Sequence, residues 1–501
     1  MPKKLPIFYS ALLLTGVNLL LRFVGTSFQV YLSGRIGAEG IGLLQLTMSV
    51  GGLAMVAGMG GIRTTTMYLT AEELGRKKAR NITRILSGCV LYSLLFSTII
   101  GFLLYHFAPW IAEYWIENIH TTDALKLFAI FLPIVCLCGV MTGYFTAAQR
   151  ISTLAAVEVV EQLCSMGLTI LLLNFWAGHD PIKSCLSVIL GSSFGALLTL
   201  AALLLLRLLE KATEGSPILV RKRLLKIALP LALADDLKAG INTAENLMVP
   251  KRLALHSATE NPLAAFGLVS GMVFPVIMFP AAILFGLTEL LIPEMARCNS
   301  GKLQSRIQYL ARKSLKVALI YGIIFSGLLF LLADWLCMRL YGSTEAVKNL
   351  QCYALLVPML YCDAITDAIT KGLGQQHICV RYNIVTSLLD VIFLYLFLPR
   401  WGMSGYFISF LITHLINFLL SIRLLLRSTG LKLPVYRGLL SMTAMVCAIF
   451  AGLWTRSARS AAFSYLVILG CLLFLLRVLH KEDLNWILGL IRGKSPSKRG
   501  L

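Results

Sequence analysis

Residues 263–292, LAAFGLVSGMVFPVIMFPAAILFGLTELLI, form a run of thirty residues in which only Glu289 is charged. An α-helix needs about 20 apolar residues to cross roughly 30 Å of hydrocarbon, whereas runs of about 10 to 14 are typical of buried helices. This stretch therefore predicts a membrane-spanning helix. Similar runs recur on both sides of it without a polar block long enough to form a soluble domain. The chain is therefore predicted to be one membrane domain.

Fourteen runs satisfy the same criterion of length and apolar composition. We predict an all-α integral membrane protein with about fourteen transmembrane helices. The runs lie at residues 5–33, 41–70, 85–110, 124–148, 152–177, 183–208, 224–250, 263–292, 313–338, 346–371, 378–399, 402–426, 434–455 and 460–479. The first run follows a basic N-terminus, as in a signal peptide, but no cleavage pattern follows it, so we expect an uncleaved first span.

The composition agrees with this class of protein. Hydrophobic residues make up 57% of the chain and charged residues 14%, whereas soluble domains average about 25% charged. The net charge of +21 comes from basic residues in short loops, without the basic stripe and interleaved aromatics of a nucleic-acid interface. The twelve cysteines are scattered and form no CxxC motif or Cys/His cluster. We therefore expect no nucleic-acid partner, no metal site and no structural disulfide.

The distribution of Lys and Arg predicts the orientation. With the N-terminus inside, the inner segments hold 32 of the 45 basic residues and the outer segments hold 10. The other three, Arg22, Arg63 and Lys238, fall inside spans. Because cytoplasmic loops carry the excess of basic residues, this bias predicts a multi-pass protein of the plasma membrane with both termini in the cytoplasm.

The longest basic connection, RLLEKATEGSPILVRKRLLK at 207–226, predicts the boundary between two lobes. The predicted divisions are an N-terminal lobe at 1–210, a cytoplasmic linker at 211–226, a C-terminal lobe at 227–428, two further helices at 429–480 and a basic cytoplasmic tail at 481–501. Six spans per lobe is an even number, so the lobes would be parallel repeats about a pseudo-two-fold axis along the membrane normal. Gly and Pro residues within the spans indicate either hinges or ordinary helix packing.

Four stretches carry a resemblance to a known family. They are RFVGTSFQVYLSGRIGAEGIGLLQL (22–46), GMGGIRTTTMYLTAEELGRKKA (58–79), KIALPLALADDLKAGINTAENLMVPKRL (226–253) and FGLVSGMVFPVIMFPAAILFGLTELLIPEMA (266–296). The chain resembles the multidrug/oligosaccharidyl-lipid/polysaccharide exporter superfamily and, within it, the polysaccharide flippases of the stage V sporulation protein B type. The resemblance implies two six-helix lobes around a central cavity, two extra C-terminal helices, a monomer, and movement of a lipid-linked sugar such as a peptidoglycan precursor for a bacterial spore. The adjacent acids Asp235 and Asp236 depart from the expected pattern.

Three basic residues inside spans are the candidate substrate-binding residues. A charged group in hydrocarbon costs at least about 2.5–3.5 kcal/mol on insertion scales, so it usually faces a cavity or a partner. Arg22 and Arg63 fall where the resemblance implies cavity arginines, and a guanidinium can bind a pyrophosphate bidentately. Lys238 would join them. The alternative is structural: either arginine would form an ion pair, and Asp235, three residues before Lys238, would neutralise that lysine.

Six acids are candidates for coupling or gating: Asp235, Asp236, Glu245, Asp363, Asp367 and Asp390. Asp363 and Asp367 share a helix face at i, i+4, as Glu158 and Glu161 do at i, i+3. Acids beside a cavity would bind Na⁺ or H⁺ as coupling ions. The alternative is that they pair with Arg22, Arg63, Lys238 or Arg381 and stabilise one state of a gate.

Four functions stay open at this level. A flippase for undecaprenyl-pyrophosphate sugars would pass the sugar head through a cationic cavity. A cation-coupled multidrug exporter of the same fold fits the acids, but the arginines would repel cationic drugs. A membrane glycan polymerase or ligase would need a reactive cluster, and the longest outer stretch, 107–123, offers acids and His120 without a basic partner. A scaffold without transport is the fourth. No GxxxxGK[ST] motif, catalytic residue or cofactor site is indicated.

Overall fold

The computed structural model describes residues 7–75, 82–148, 150–178, 180–209, 220–257, 261–342, 344–431, 435–455, 457–476 and 478. The helices over these residues are α1 (Ile7–Met59), α2 (Ile62–Gly75), α3 (Ile82–Trp110), α4 (Thr122–Ala147), α5 (Ile151–Leu172), α6 (Pro181–Leu208), α7 (Val220–Leu253), α8 (Pro262–Gly267), α9 (Phe274–Ser300), α10 (Gln304–Leu331), α11 (Ala333–Tyr341), α12 (Ala346–Ala354), α13 (Val357–Gly372), α14 (Gln376–Thr429), α15 (Val435–Leu453) and α16 (Ala458–Leu475). The all-α prediction is confirmed. Most of the predicted linker, 211–219, and the tail, 481–501, lie outside the described residues.

Two glycines break the longest helices. Gly37 in α1 has φ +74° and ψ 176°, and Gly402 in α14 has φ +54° and ψ −136°. Both conformations are readily adopted only by a residue without a Cβ atom. The breaks fall between the predicted spans 5–33 and 41–70 and at the junction of 378–399 and 402–426. Each long helix is therefore two helical segments joined at a glycine.

The number of spans depends on how these segments are counted. Among the described residues, ten helices are long and apolar enough to cross a membrane, or eleven if α12 and α13, bent by 52°, form one broken span. The helical stretch Leu19–Leu74 follows a path of roughly 80 Å at 1.5 Å per residue, more than two bilayer crossings. Helix α7 is not among the ten and carries ten charged residues. The count of fourteen stays a prediction.

The chain divides into two compact units. The first unit comprises Met1–Ala282 and Ile384–Thr413, and the second comprises Ile283–Asn383 and His414–Leu501. Both units are discontinuous in sequence, and their boundaries fall inside α9 and α14. The lobes predicted at 1–210 and 227–428 follow other boundaries and stay a prediction.

Buried apolar side chains hold the first unit together in two clusters. One joins α2, α3, α4, α5, α6 and α7 through residues such as Leu69, Phe145 and Leu203. The other joins α1, α4 and α6 through residues such as Ile41 and Ile189. Because helix association in lipid depends on close packing rather than on exclusion of water, these interlocked side chains fix the positions of α2 and α7, which carry the candidate site.

The second unit also has two clusters. One joins α9, α10, α13 and α14, and the other joins α10, α15 and α16. At the centre of the latter, the fully buried Tyr465 of α16 donates a hydrogen bond from Oη to the carbonyl oxygen of Ile323 at 2.7 Å. A Cβ atom on Gly327 would lie 2.1 Å from the Tyr465 ring. The absence of a side chain at Gly327 therefore lets α16 pack directly on α10.

We expect Tyr465→Phe to lower the free energy of unfolding by about 1 kcal/mol, because the variant loses one buried hydrogen bond but keeps the ring. The measurement is thermal or denaturant unfolding of the purified chain in detergent. Tyr68→Phe is the matched control, since Tyr68 is 56% exposed. Equal stability of the two variants would show that this hydrogen bond does not contribute to the packing of α16.

Candidate functional site

A cavity of about 330 Å³ lies in the first unit where α1 ends, α2 begins and the middle of α7 passes. Its polar lining consists of Arg63, Thr64, Asp235, Lys238 and Asn242. Arg63 and Thr64 stand in the first turn of α2, and the other three lie along the middle of α7. We call this space the α2–α7 cavity. It brings together three of the predicted site residues, Arg63, Asp235 and Lys238.

The charges of the α2–α7 cavity do not cancel. It is lined by two cationic side chains and one anionic side chain. Among the described residues, neither Arg63 nor Lys238 forms a salt bridge, and Asp235 is not paired with Lys238. Glu158 of α5 interacts electrostatically with Arg63 but without a salt bridge. Substrate binding and structural pairing both stay predictions for Arg63 and Lys238, and two cationic side chains in one cavity could bind a ligand with negative charge.

Two other predicted site residues of the first unit, Arg22 and Asp236, do not line this cavity. Arg22 lies in the first half of α1, is exposed, and is not among the residues that line the α2–α7 cavity. Asp236 is half-buried, and its Oδ1 has no hydrogen-bond partner among the described residues. It interacts electrostatically with Tyr92 of α3. The adjacent acids therefore separate, with Asp235 at the cavity and Asp236 toward α3, and a substrate-binding role for Arg22 stays a prediction.

Two other predicted acids meet in the first unit. The carboxyl group of Glu245 on α7 lies within hydrogen-bonding distance of that of Asp390 on α14. Asp390 is only 6% exposed, and its Oδ1 accepts hydrogen bonds from Ser409 Oγ at 2.6 Å and from Thr413 Oγ1 at 3.1 Å. We call Glu245 and Asp390 the carboxyl pair. These two residues are 145 positions apart in the chain, and only the fold brings them together.

The carboxyl pair defines the chemistry available at this position. Two adjacent carboxylates that both carry a charge repel each other, and burial away from water makes an unpaired charge costly. A shared proton or a cation bound by the carboxyl and hydroxyl oxygens removes both penalties, because hard cations prefer oxygen ligands. The pair is therefore suited to take up and release one positive charge.

Helix α7 connects the cavity to the carboxyl pair. Lys238, Asn242 and Glu245 are spaced at i, i+4 and i+7, so they lie on one face of the helix. Seven residues correspond to roughly 10 Å along the helix axis. On the neighbouring turns, Thr243 Oγ1 donates to the carbonyl oxygen of Ser49 at 3.1 Å, and Asn246 Nδ2 donates to Ser49 Oγ at 2.9 Å. These bonds hold α7 against α1, with both polar sites on the same helix.

Asp363 and Asp367 lie in the second unit, half-buried on α13. Asp367 Oδ2 forms a salt bridge with Lys371 Nζ at 2.9 Å, and Asp363 Oδ2 accepts a hydrogen bond from Asn417 Nδ2 at 3.1 Å. Three further oxygens are buried without a hydrogen-bond partner among the described residues: Asp363 Oδ1, Asp367 Oδ1 and Asn417 Oδ1. The partner of Asp367 is therefore Lys371, which is not among the four basic residues predicted to pair with the acids.

Several polar residues of these clusters were not predicted from the sequence. Thr64 and Asn242 line the cavity, Ser409 and Thr413 bind Asp390, and Asn417 binds Asp363. The spacing of Lys238, Asn242 and Glu245 on α7 is a signal that the sequence does contain. Neutral hydroxyl and amide groups elsewhere gave no signal, because they are common in membrane helices and stand out only beside a buried charge.

The apolar helices and the charged cavity among them are those of a multi-pass membrane transporter, and comparison with known proteins agrees. The MatE family model matches residues 15–173 and 251–396, which is more than half of the chain. The chain belongs to the MatE family. The predicted superfamily is thereby confirmed, and the chain is a membrane transporter of that superfamily.

Two sporulation proteins of Bacillus subtilis (strain 168) are similar in sequence. Stage V sporulation protein B is 22% identical over 408 residues, which covers 79% of this chain and 78% of that protein. Sporulation protein YkvU is 24% identical over 230 residues, covering 44% of this chain and 51% of that protein. The predicted resemblance to the stage V sporulation protein B type is confirmed.

Solved structures show the same fold at low sequence identity. The lipid II flippase MurJ in an inward closed conformation aligns with a TM-score of 0.66 and 15% identity, covering 93% of this chain and 99% of that one. An inward-facing multidrug resistance MATE family transporter of the MOP superfamily aligns with a TM-score of 0.64 and 13% identity, covering 86% and 99%. The fold is therefore shared by proteins named for lipid and for drug transport.

Proposed function

We propose that this chain is a flippase for a lipid-linked oligosaccharide, most simply an undecaprenyl-pyrophosphate sugar that serves as a peptidoglycan precursor in a bacterial cell or its spore. The observation that carries the proposal is the α2–α7 cavity, where Arg63 and Lys238 lie without a salt bridge to a described residue. The names of its relatives, a sporulation protein in sequence and a lipid II flippase in fold, support the same substrate class.

The cavity contains side chains that can bind both the phosphates and the sugar of such a head group. The Arg63 guanidinium can bind two phosphate oxygens at once, and Lys238 adds a point charge. Thr64 and Asn242 can hydrogen-bond to sugar hydroxyl groups. Asp235 lowers the net positive charge of the cavity. The cavity would therefore bind the anionic head group tightly enough to take it up but weakly enough to release it. The polyprenyl chain would stay in the lipid, because a cavity of about 330 Å³ is too small to enclose it.

The carboxyl pair is proposed as the coupling site. Uptake of Na⁺ or H⁺ by Glu245 and Asp390 would alter the interactions of α7, which also carries the cavity lysine. An ion gradient across the plasma membrane would then supply the driving force for alternating access. We propose that the protein acts as a monomer with both termini in the cytoplasm, as the basic residues indicate.

A cation-coupled multidrug exporter is the second candidate. The carboxyl pair and the fold shared with multidrug transporters favour it. The cationic lining of the α2–α7 cavity opposes it, because most exported drugs of this class would be cations repelled by Arg63 and Lys238. The two candidates therefore predict opposite effects of removing the cavity charges.

The test is transport by the purified chain in liposomes that contain a fluorescent lipid-linked sugar pyrophosphate. We expect Arg63→Gln and Lys238→Gln each to slow movement of the lipid by about tenfold or more, since each removes a charge-assisted contact worth roughly 1.5–3 kcal/mol. Arg84→Gln is the control, because Arg84 is exposed on α3 and lies outside the cavity.

The outcomes separate the candidates. Wild type and Arg84→Gln that move the lipid, with both cavity variants impaired but folded, support the flippase. A wild-type protein that moves no such lipid but exports a cationic dye, with faster export by Arg63→Gln, would establish the drug exporter instead.

A further inference from the structure

The second unit contains a cavity of about 510 Å³ that the proposed transport cycle does not use. It lies where α10 ends, beside α11, the end of α15 and the start of α16. Leu331, Leu453 and Ser457 line it from the helix ends, and Asp334, Trp335 and Arg339 line it from α11. We call this space the α11 pocket.

The α11 pocket lies at the level of a membrane surface. Three candidate membrane spans end or begin at its lining residues, at Leu331, Leu453 and Ala458. Trp335 is 51% exposed, and Trp454 next to Leu453 is 95% exposed. Tryptophan is enriched at membrane interfaces, where its ring reaches both acyl chains and head groups. The pocket is therefore placed to meet lipid head groups rather than acyl chains alone.

The pocket contains charges of both signs. Among the described residues, Arg339 and Asp334 form no salt bridge or hydrogen bond, either with each other or with another side chain. Ser457 caps α16 by accepting a hydrogen bond from the Ser460 amide, so the positive end of an 18-residue helix also faces this space. A ligand that carries only positive or only negative charge would pair with one of Asp334 and Arg339 and leave the other without a partner.

We propose that the α11 pocket binds the head group of a phospholipid that carries both a phosphate and a primary ammonium, the chemistry of phosphatidylethanolamine. Arg339 and the N-terminus of α16 would hold the phosphate, and Asp334 would accept hydrogen bonds from the ammonium. The acyl chains would follow the apolar ends of α10 and α15 at Leu331 and Leu453.

The apolar lining favours a lipid over a free anion. Met338 and Leu453 offer no hydrogen bond to inorganic phosphate, but together with the Trp335 ring they can pack against glycerol and the first carbons of acyl chains. Because the pocket touches α10, α11, α15 and α16, a bound lipid would link the C-terminal helix pair to the rest of the second unit. This role is independent of which substrate the protein transports.

The test measures lipid retained by the purified full chain in detergent, using native mass spectrometry with added phosphatidylethanolamine, phosphatidylcholine or phosphatidylglycerol. Wild type is expected to retain phosphatidylethanolamine best, because the quaternary ammonium of phosphatidylcholine has no N–H and phosphatidylglycerol has no ammonium. Arg339→Gln is expected to lower retention of all three lipids by about tenfold, through loss of a charge-assisted contact. Asp334→Asn is expected to lower only phosphatidylethanolamine, to the level of phosphatidylcholine.

Two controls make the result decisive. Lys348→Gln removes an exposed charge on α12 outside the pocket and should retain lipid as wild type does. Inorganic phosphate should not displace the lipid. The proposal is overturned if Arg339→Gln and Lys348→Gln retain equal amounts of phosphatidylethanolamine, if Asp334→Asn leaves the preference among lipids unchanged, or if inorganic phosphate competes for the site. Thermal unfolding of each variant confirms that it is folded.

Discussion

Replacement of Asp390 by asparagine is expected to abolish the dependence of transport on an ion gradient while leaving the protein folded. Asparagine keeps the shape of the side chain and an oxygen that can accept the hydrogen bonds from Ser409 and Thr413. It removes the negative charge with which Glu245 would share a proton or cation. Because the two carboxyl groups act together, we expect gradient-driven transport to fall by about 100-fold, the effect of roughly 2.7 kcal/mol.

The measurement compares initial transport rates in liposomes with and without an imposed Na⁺ gradient and, separately, a pH gradient. The gradient that accelerates wild type identifies the coupling ion. Glu113→Gln is the control, since Glu113 is an exposed acid in the π-helical turn after α3. If the Asp390→Asn variant still responds to the gradient as wild type does, the carboxyl pair is not the coupling site.

Replacement of Gly267 by leucine is expected to lower the free energy of unfolding by about 3 kcal/mol or more, at the upper end of the range for overpacked sites. Gly267 ends α8 and is buried against the second segment of α1. A Cβ atom there would lie 2.0 Å from the carbonyl oxygen of Ala38 and 2.6 Å from the amide nitrogen of Gly42. These neighbours are backbone atoms, so no side chain can rotate away, and the two helices would have to separate.

The measurement is equilibrium unfolding in detergent, with Gly34→Leu as the matched control. Gly34 also lies in α1, but an added Cβ atom would meet no heavy atom within 4 Å. Its substitution should therefore change stability by less than about 0.5 kcal/mol, as surface substitutions usually do. Similar losses in both variants would indicate a general effect of leucine in this region, and the close packing of α1 on α8 would not be needed for stability.

Hydropathy predicted the helical membrane fold because a bilayer leaves few alternatives to a long apolar helix. The glycines at the breaks were visible in the sequence, but the non-helical conformations of Gly37 and Gly402 were not, since φ and ψ depend on packing at the turn. The prediction for α7 rested on apolar residues between its charges, and the charges themselves keep it from qualifying as a span by composition.

The candidate sites were predictable only in part. The free-energy cost of a charge in hydrocarbon was enough to identify Arg63 and Lys238 as candidate functional residues. Their meeting in one cavity required the fold, as did the contact of Glu245 with Asp390. The i, i+4 spacing of Asp367 and Lys371 is visible in the sequence and could have revealed their salt bridge.

The common face of α7 bears on the stoichiometry of the proposed cycle. Lys238 and Glu245 are two turns apart on one continuous helix, so a rotation of α7 would carry both side chains away from their partners together. The anion could not then leave the cavity independently of the cation on the carboxyl pair. One cation exchanged for each lipid moved is the ratio that such a mechanical link imposes, and simultaneous measurement of ion and lipid fluxes would give it directly.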